Sequence, residues 1–148
     1  MSTSKGWLWA GGGLAALGLG YYAWTHRHFF FVHDVTSGES AAYPQLRSRV
    51  YYSEPSRVLA AAEKAIERLP HWTLVSRDEE NDALEAQTRA GLRTDDVTVY
   101  VQPLDRGQCR VTIRSRSQSG AGDLGRNAAH VRELQKAMDD RLNADAAF

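Results

Sequence analysis

Asp95 and Asp96, with Asp123 further along the chain, are the acidic residues whose placement could support chemistry. If adjacent strand ends meet the loop after the last strand, they come together with Arg89, Arg93, Arg114 and Arg116 on one edge. Paired carboxylates beside guanidinium groups suit acid–base work or the holding of a cation, and a hydrolase-like reaction would use Asp95, Asp96 or Asp123. No positioned nucleophile accompanies them, so a salt-bridge and hydrogen-bond network that fixes a loop is the plainer expectation. Gly120, Gly122 and Gly125 spell GxGxxG between a strand and a helix, where helix-terminal amides can hold an anion. A dinucleotide site also needs a second parallel strand and an acidic residue about twenty positions on, and here the pattern runs out after one helix. The glycines therefore read as a tight connection, with Asp123 accepting backbone amides near the helix start. Arg89, Asp95, Asp96, Arg114, Gly122, Asp123, Gly125 and Asn127 are accordingly the candidates for a structural network or an anion site.

The remaining reactive types point away from catalysis. His26, His28 and His33 invite a metal reading, yet they fall in a linker without an evident group to orient their rings, and solvation at a membrane surface explains them better. His71 and His130 have no Cys or Ser at catalytic spacing. Cys109 is the only cysteine, so it forms no disulfide within the chain and belongs to no CxxC. It opens a strand at an apolar position and reads as a small core residue. No metal or cofactor is expected. The 18 basic and 18 acidic side chains cancel, which argues against a nucleic-acid partner.

From Trp7 to Thr25 the chain carries no formal charge, and as a helix this stretch would span about 28 Å, the thickness of a bilayer core. Trp7 and Trp9 at one end, with Tyr21, Tyr22 and Trp24 at the other, place aromatic rings at both headgroup layers. A cleaved signal peptide fits less well, because the basic start is thin and no small-x-small site follows. Residues 1–25 are thus expected to be a transmembrane anchor. Gly12, Ala16 and Gly20 line one helix face, where a partner helix could approach closely; small residues are also simply common in anchors. The short N-terminal flank suits a cytoplasmic N-terminus and an extracytoplasmic, periplasmic domain.

Residues 26–48 read as a juxtamembrane linker that starts with Phe29, Phe30 and Phe31, and residues 49–148 as one soluble domain. A short run at Val50–Tyr52 precedes a helix with Ser53 at its N-cap, Pro55 in its first turn and an end at Pro70. Val58, Leu59, Ala62, Ala65, Ile66 and Leu69 form its apolar face. Strand-like runs follow at Trp72–Ser76, Ala83–Arg89, Val97–Leu104 and Cys109–Ser117, separated by turn residues. Each alternates apolar and polar positions, as an antiparallel sheet with one covered face requires. A last helix, about Arg126 to Asn143, carries the stripe Val131, Leu134, Met138 and Leu142. The expected fold is α+β: a transmembrane helix, then a β-α-β-β-β-β-α domain whose antiparallel sheet has two helices packed on one face.

Several strings resemble the family called domain of unknown function 1499. They are Asp34-Val35-Thr36, Ala42-Tyr43-Pro44, Asp95-Asp96-Val97, Arg114-Ser115-Arg116-Ser117 and, above all, Gly120-Ala121-Gly122-Asp123-Leu124-Gly125-Arg126-Asn127. Gln118 and Gly122 depart from the Arg and Ser common there, which puts any family binding site at those positions in doubt. The resemblance implies a membrane-associated domain without an assigned activity. Anchor, domain and absent nucleophile together suggest a non-catalytic accessory or scaffold subunit of a membrane protein complex, whose partners are the lipid bilayer and other membrane protein subunits. The alternatives are a binding module for an apolar or anionic small molecule and a hydrolase-like enzyme.

Overall fold

The computed structural model of the chain describes residues 32–119 and 123–145. In order, the elements are β1 (Asp34–Thr36), β2 (Arg49–Tyr51), α1 (Pro55–Arg68), β3 (Trp72–Asp78), β4 (Ala83–Ala90), β5 (Arg93–Leu104), β6 (Gln108–Ser117) and α2 (Arg126–Asp145). The α+β class and the antiparallel sheet with two helices are as expected, but the sheet has six strands rather than five. From one edge it runs β1, β6, β5, β4, β3, and β2 also pairs with β6. The expected transmembrane helix, with Gly12, Ala16 and Gly20, lies outside the described residues. Among those residues no helix is long and apolar enough to cross a membrane.

The added strand corrects the linker expected at 26–48. Asp34, Val35 and Thr36 pair with Arg116, Ser115 and Arg114, while Arg49, Val50 and Tyr51 pair with Val111, Arg110 and Cys109. β1 and β2 are therefore two pieces of one edge beside β6, and residues 37–48 loop out between them. That loop is tied down: Val35, Ser37, Tyr43 and Leu46 are buried, and the Ser37 hydroxyl accepts the Ile113 amide at 2.9 Å. Gly38 turns the chain at φ 84, where a Cβ would meet the Ser48 hydroxyl at 2.9 Å, so only glycine fits the corner without a shift.

Strand alternation decides what faces the helices. Val97, Val99 and Val101 of β5 and Cys109, Val111 and Ile113 of β6 are buried on the inner face with Leu84 and Ala86 of β4. Onto them α1 lays Val58, Leu59, Ala62, Ala65 and Ile66, and α2 lays Val131, Leu134, Met138 and Leu142. Helices and sheet thus share one filled core. The N-cap of α1 is Glu54, without a side-chain cap bond, rather than Ser53; Ser53 instead offers its carbonyl to the Cys109 thiol at 2.9 Å. Burial pushes that thiol up from its ordinary value, as suits a core cysteine and not a nucleophile.

Candidate functional site

Where α2 meets the sheet, the inner face changes from apolar to polar. Ser115 and Ser117 continue the inward register of Cys109, Val111 and Ile113. In that register Ser117 stands opposite Asp95, and Asp95 opposite Thr88. The first two turns of α2 bring Arg126, Asn127 and His130 down onto these residues. Arg126 grips the Asp95 carboxylate with Nε at 2.5 Å and Nη2 at 2.9 Å. Asn127 Nδ2 donates to Ser117 Oγ at 3.1 Å and to the His33 carbonyl at 3.0 Å, so it ties helix, central strand and edge together. Asp123 holds the start of α2, accepting the Gly125 amide at 2.9 Å and the Asn127 amide at 2.7 Å, which is the work of a capping carboxylate.

His130 sits within this network, its ring edge-on to Trp72 with centroids 5.7 Å apart. Its Nδ1 lies 3.3 Å from Ser115 Oγ and 3.8 Å from Asp95 Oδ2, and its Nε2 lies 3.3 Å from Thr88 Oγ1. The Ser115 hydroxyl donates to Asn127 Oδ1 at 2.7 Å, which leaves its oxygen to accept from Nδ1–H. Thr88 then donates to Nε2, so a neutral imidazole satisfies every group. Burial pushes His130 below its ordinary value; Asp95 opposes this and Arg126 adds to it. Burial also pushes the Asp95 carboxyl up, but the bonds from Arg126 and Ser117 reverse that and leave it below the usual carboxylate range.

The trio of hydroxyl, imidazole and carboxylate invites comparison with a hydrolytic triad. A triad needs the carboxylate and the nucleophile on opposite ring nitrogens, whereas Asp95 and Ser115 share the Nδ1 side. The hydroxyl on the far side, Thr88, is 4 % exposed, and Asp95 and Asp123 are 2 % and 1 % exposed. The geometry is that of a closed polar brace between α2 and the sheet.

The convergence expected of Asp95, Asp96 and Asp123 with four arginines is only partly realised. Asp95 and Asp123 join the brace, as do Asn127 and Gly125. Asp96, next to Asp95 on a strand, points to the opposite face and accepts from Gln87 at 3.0 Å and Gln118 at 2.8 Å. Arg114 shares that outer face and pairs with Asp34, holding the Asp34 carboxyl below its ordinary value. Arg89, Arg93 and Arg116 are exposed; Gly120 and Gly122 lie outside the described residues. Sequence reasoning missed Arg126, His130, Thr88, Ser115 and Ser117. On the outer face a groove of about 470 Å³ is lined by Asp34, Thr36, Tyr100, Thr112 and Arg114 with Glu39 and Ser40.

Residues 31–138 match the family described as protein of unknown function (DUF1499), about three-quarters of the chain. The chain belongs to this family. The DUF1499 match takes in β1 and the brace residues from Thr88 to His130, so residues 31–48 of the segment expected as linker are part of the family's domain. No curated protein matches the DUF1499 chain in sequence. Solved structures similar to it include a protein of Thermus thermophilus, with TM-score 0.48 and 15 % identity, over 76 % of this chain and 98 % of that one. A START superfamily protein from Mycobacterium smegmatis has TM-score 0.49 and 8 % identity, over 76 % and 99 %. Norcoclaurine synthase from Thalictrum flavum has TM-score 0.48 and 10 % identity, over 83 % and 91 %.

Proposed function

We propose that this DUF1499 protein is a non-catalytic accessory or scaffold subunit of a membrane protein complex, anchored by residues 7–25 and working by contact through that helix and its soluble domain. The observation that carries this reading is the state of the acidic groups. Asp95 and Asp123 are buried and spent on Arg126 and on the amides of α2, and Asp96 is on the other face. An enzyme built on these carboxylates needs them together in an open cleft with a displaced proton affinity. The outer face of the sheet, by contrast, has no layer of helix over it among the described residues, and Arg114, Tyr100 and their neighbours lie on it. A ligand-binding role is the second reading, favoured by the groove beside the Asp34–Arg114 pair; the space between helices and sheet is already filled by the core.

The anchor supplies the test. Gly12, Ala16 and Gly20 would leave a groove along one helix side, and Ala16→Ile would fill its centre with a branched side chain. In lipid no hydrophobic force compensates for lost close packing, so association should weaken by on the order of 1 kcal/mol. Membrane insertion should persist, because Ile is at least as apolar as Ala. The expected outcome is unchanged membrane content with reduced crosslinking to the partner; equal crosslinking yields would leave the segment a plain tether.

A further inference from the structure

The end of the domain at which the N-terminal segment enters has an uncommon surface. The backbone of His33 meets that of Ser117, Val32 meets Asp123, and Gln118 meets Thr94, so the entry point, the β6–α2 connection and the start of β5 share one level. Beyond it projects the β4–β5 hairpin, whose tip closes with Ala90 opposite Arg93. Leu92 at that tip is 106 % exposed, and Leu124 in the β6–α2 connection is 66 % exposed. Leu124 is held there at φ 54, a conformation a leucine adopts at a cost. At this end of the sheet Arg93 follows Leu92 in the chain, Arg89 stands opposite Thr94 and Arg116 opposite Asp96 and Asp34; all three arginines are exposed and none is in an ion pair among the described residues. Exposed leucines flanked by arginines fit the boundary of an anionic bilayer, where apolar side chains enter the acyl region and guanidinium groups meet phosphates.

We propose that this end docks on an anionic lipid surface, with Leu92 and Leu124 entering the interface and Arg89, Arg93 and Arg116 on the headgroups. The inference rests on the tether proposed above. Only residues 26–33 separate the anchor from β1, and eight residues reach at most about 28 Å, so the entry end stays near the bilayer whatever the rest of the domain does. Docking fixes the orientation: the sheet's outer face then stands roughly upright on the membrane, open sideways to a neighbouring subunit. Each arginine near an anionic surface should strengthen docking roughly fivefold, and added salt should weaken it.

The test uses the full chain in nanodiscs of phosphatidylcholine with or without phosphatidylglycerol. An environment-sensitive fluorophore is placed on Leu92→Cys or, at the opposite hairpin, on Asp105→Cys. Cys109 is fully buried and stays unlabelled, and Leu92 makes no packing contact that its replacement could remove. The expected result is a label at position 92 shielded from aqueous quencher and reached by lipid-borne quencher in anionic discs only. The label at 105 should remain in water, and Arg89→Glu with Arg93→Glu should return position 92 to it. A chain retained in anionic discs whose label at 92 is as open to water as that at 105 overturns the docking and leaves the tether. A chain that stays out of the discs overturns the tether; its label at 92 then decides docking, shielded on anionic discs in support or water-exposed against.

Discussion

Asp95 pins the brace, and its burial sets what its loss would do. Removing the charge in Asp95→Asn leaves Arg126 facing a poorer acceptor, and breaking such a pair costs about 2 to 4 kcal/mol, the lower part applying here because Arg126 keeps 21 % of its side chain in water. A urea midpoint that falls with an unchanged slope checks this; an unchanged midpoint with lost function would restore the active-site reading. His130 makes the stability depend on pH. Its folded value lies below the ordinary 6.5, so its contribution is present above pH 6.5 and is lost as pH falls through the folded value, with a slope no steeper than about 1.4 kcal/mol per pH unit. Asp95 and Asp34, lowered from 3.8, act only at more acid pH. Unfolding free energy should therefore decline from pH 7 toward pH 5, and His130→Gln should flatten that decline. At this scale the sequence was half legible. Asp95 and Asp123 stand out as acids near turns, but Asp95 and Asp96 could be separated only by starting the strand at Arg93 instead of Val97, because alternation then sends them to opposite faces. Ser115 and Ser117 did carry a signal, the inward register of Ile113 continued. Arg126 stood only within the string that carries the family resemblance, and His130 had no pattern of its own, since its partners come from other elements.

At the scale of elements, periodicity was a good guide wherever a run was long enough to show it. The hairpin of β5 and β6 and the stripes of α1 and α2 lie where alternation and three- and four-residue steps put them. β1 has three residues among turn formers, and its identity comes from pairing with β6 rather than from any pattern of its own. The consequence is measurable. A chain that begins at residue 49, the boundary expected from sequence, loses Val35, Ser37, Tyr43 and Leu46 from the core and exposes the β6 edge. Full burial of a large apolar side chain contributes about 1.5 to 3 kcal/mol, so this chain should fail to melt cooperatively. One that begins at residue 32 keeps the carbonyls of Val32 and His33 that Asp123, Ser117 and Asn127 use, and should melt as a single unit. Cooperative melting of the shorter chain would show that β1 is dispensable.

For the whole molecule, the balance of 18 positive and 18 negative side chains does not describe their placement: Asp95 and Asp123 are buried in the brace, and Arg89, Arg93 and Arg116 are exposed at the entry end. The proposed role rests on contact surfaces, the outer face of the sheet and the entry end. Recovery of the full-length protein from its native membrane in mild detergent, followed by mass measurement of the intact assembly, tests this most directly. The expected result is a complex in which a second membrane protein is present at fixed stoichiometry and is lost from Ala16→Ile preparations. A monodisperse monomer carrying detergent alone would contradict it.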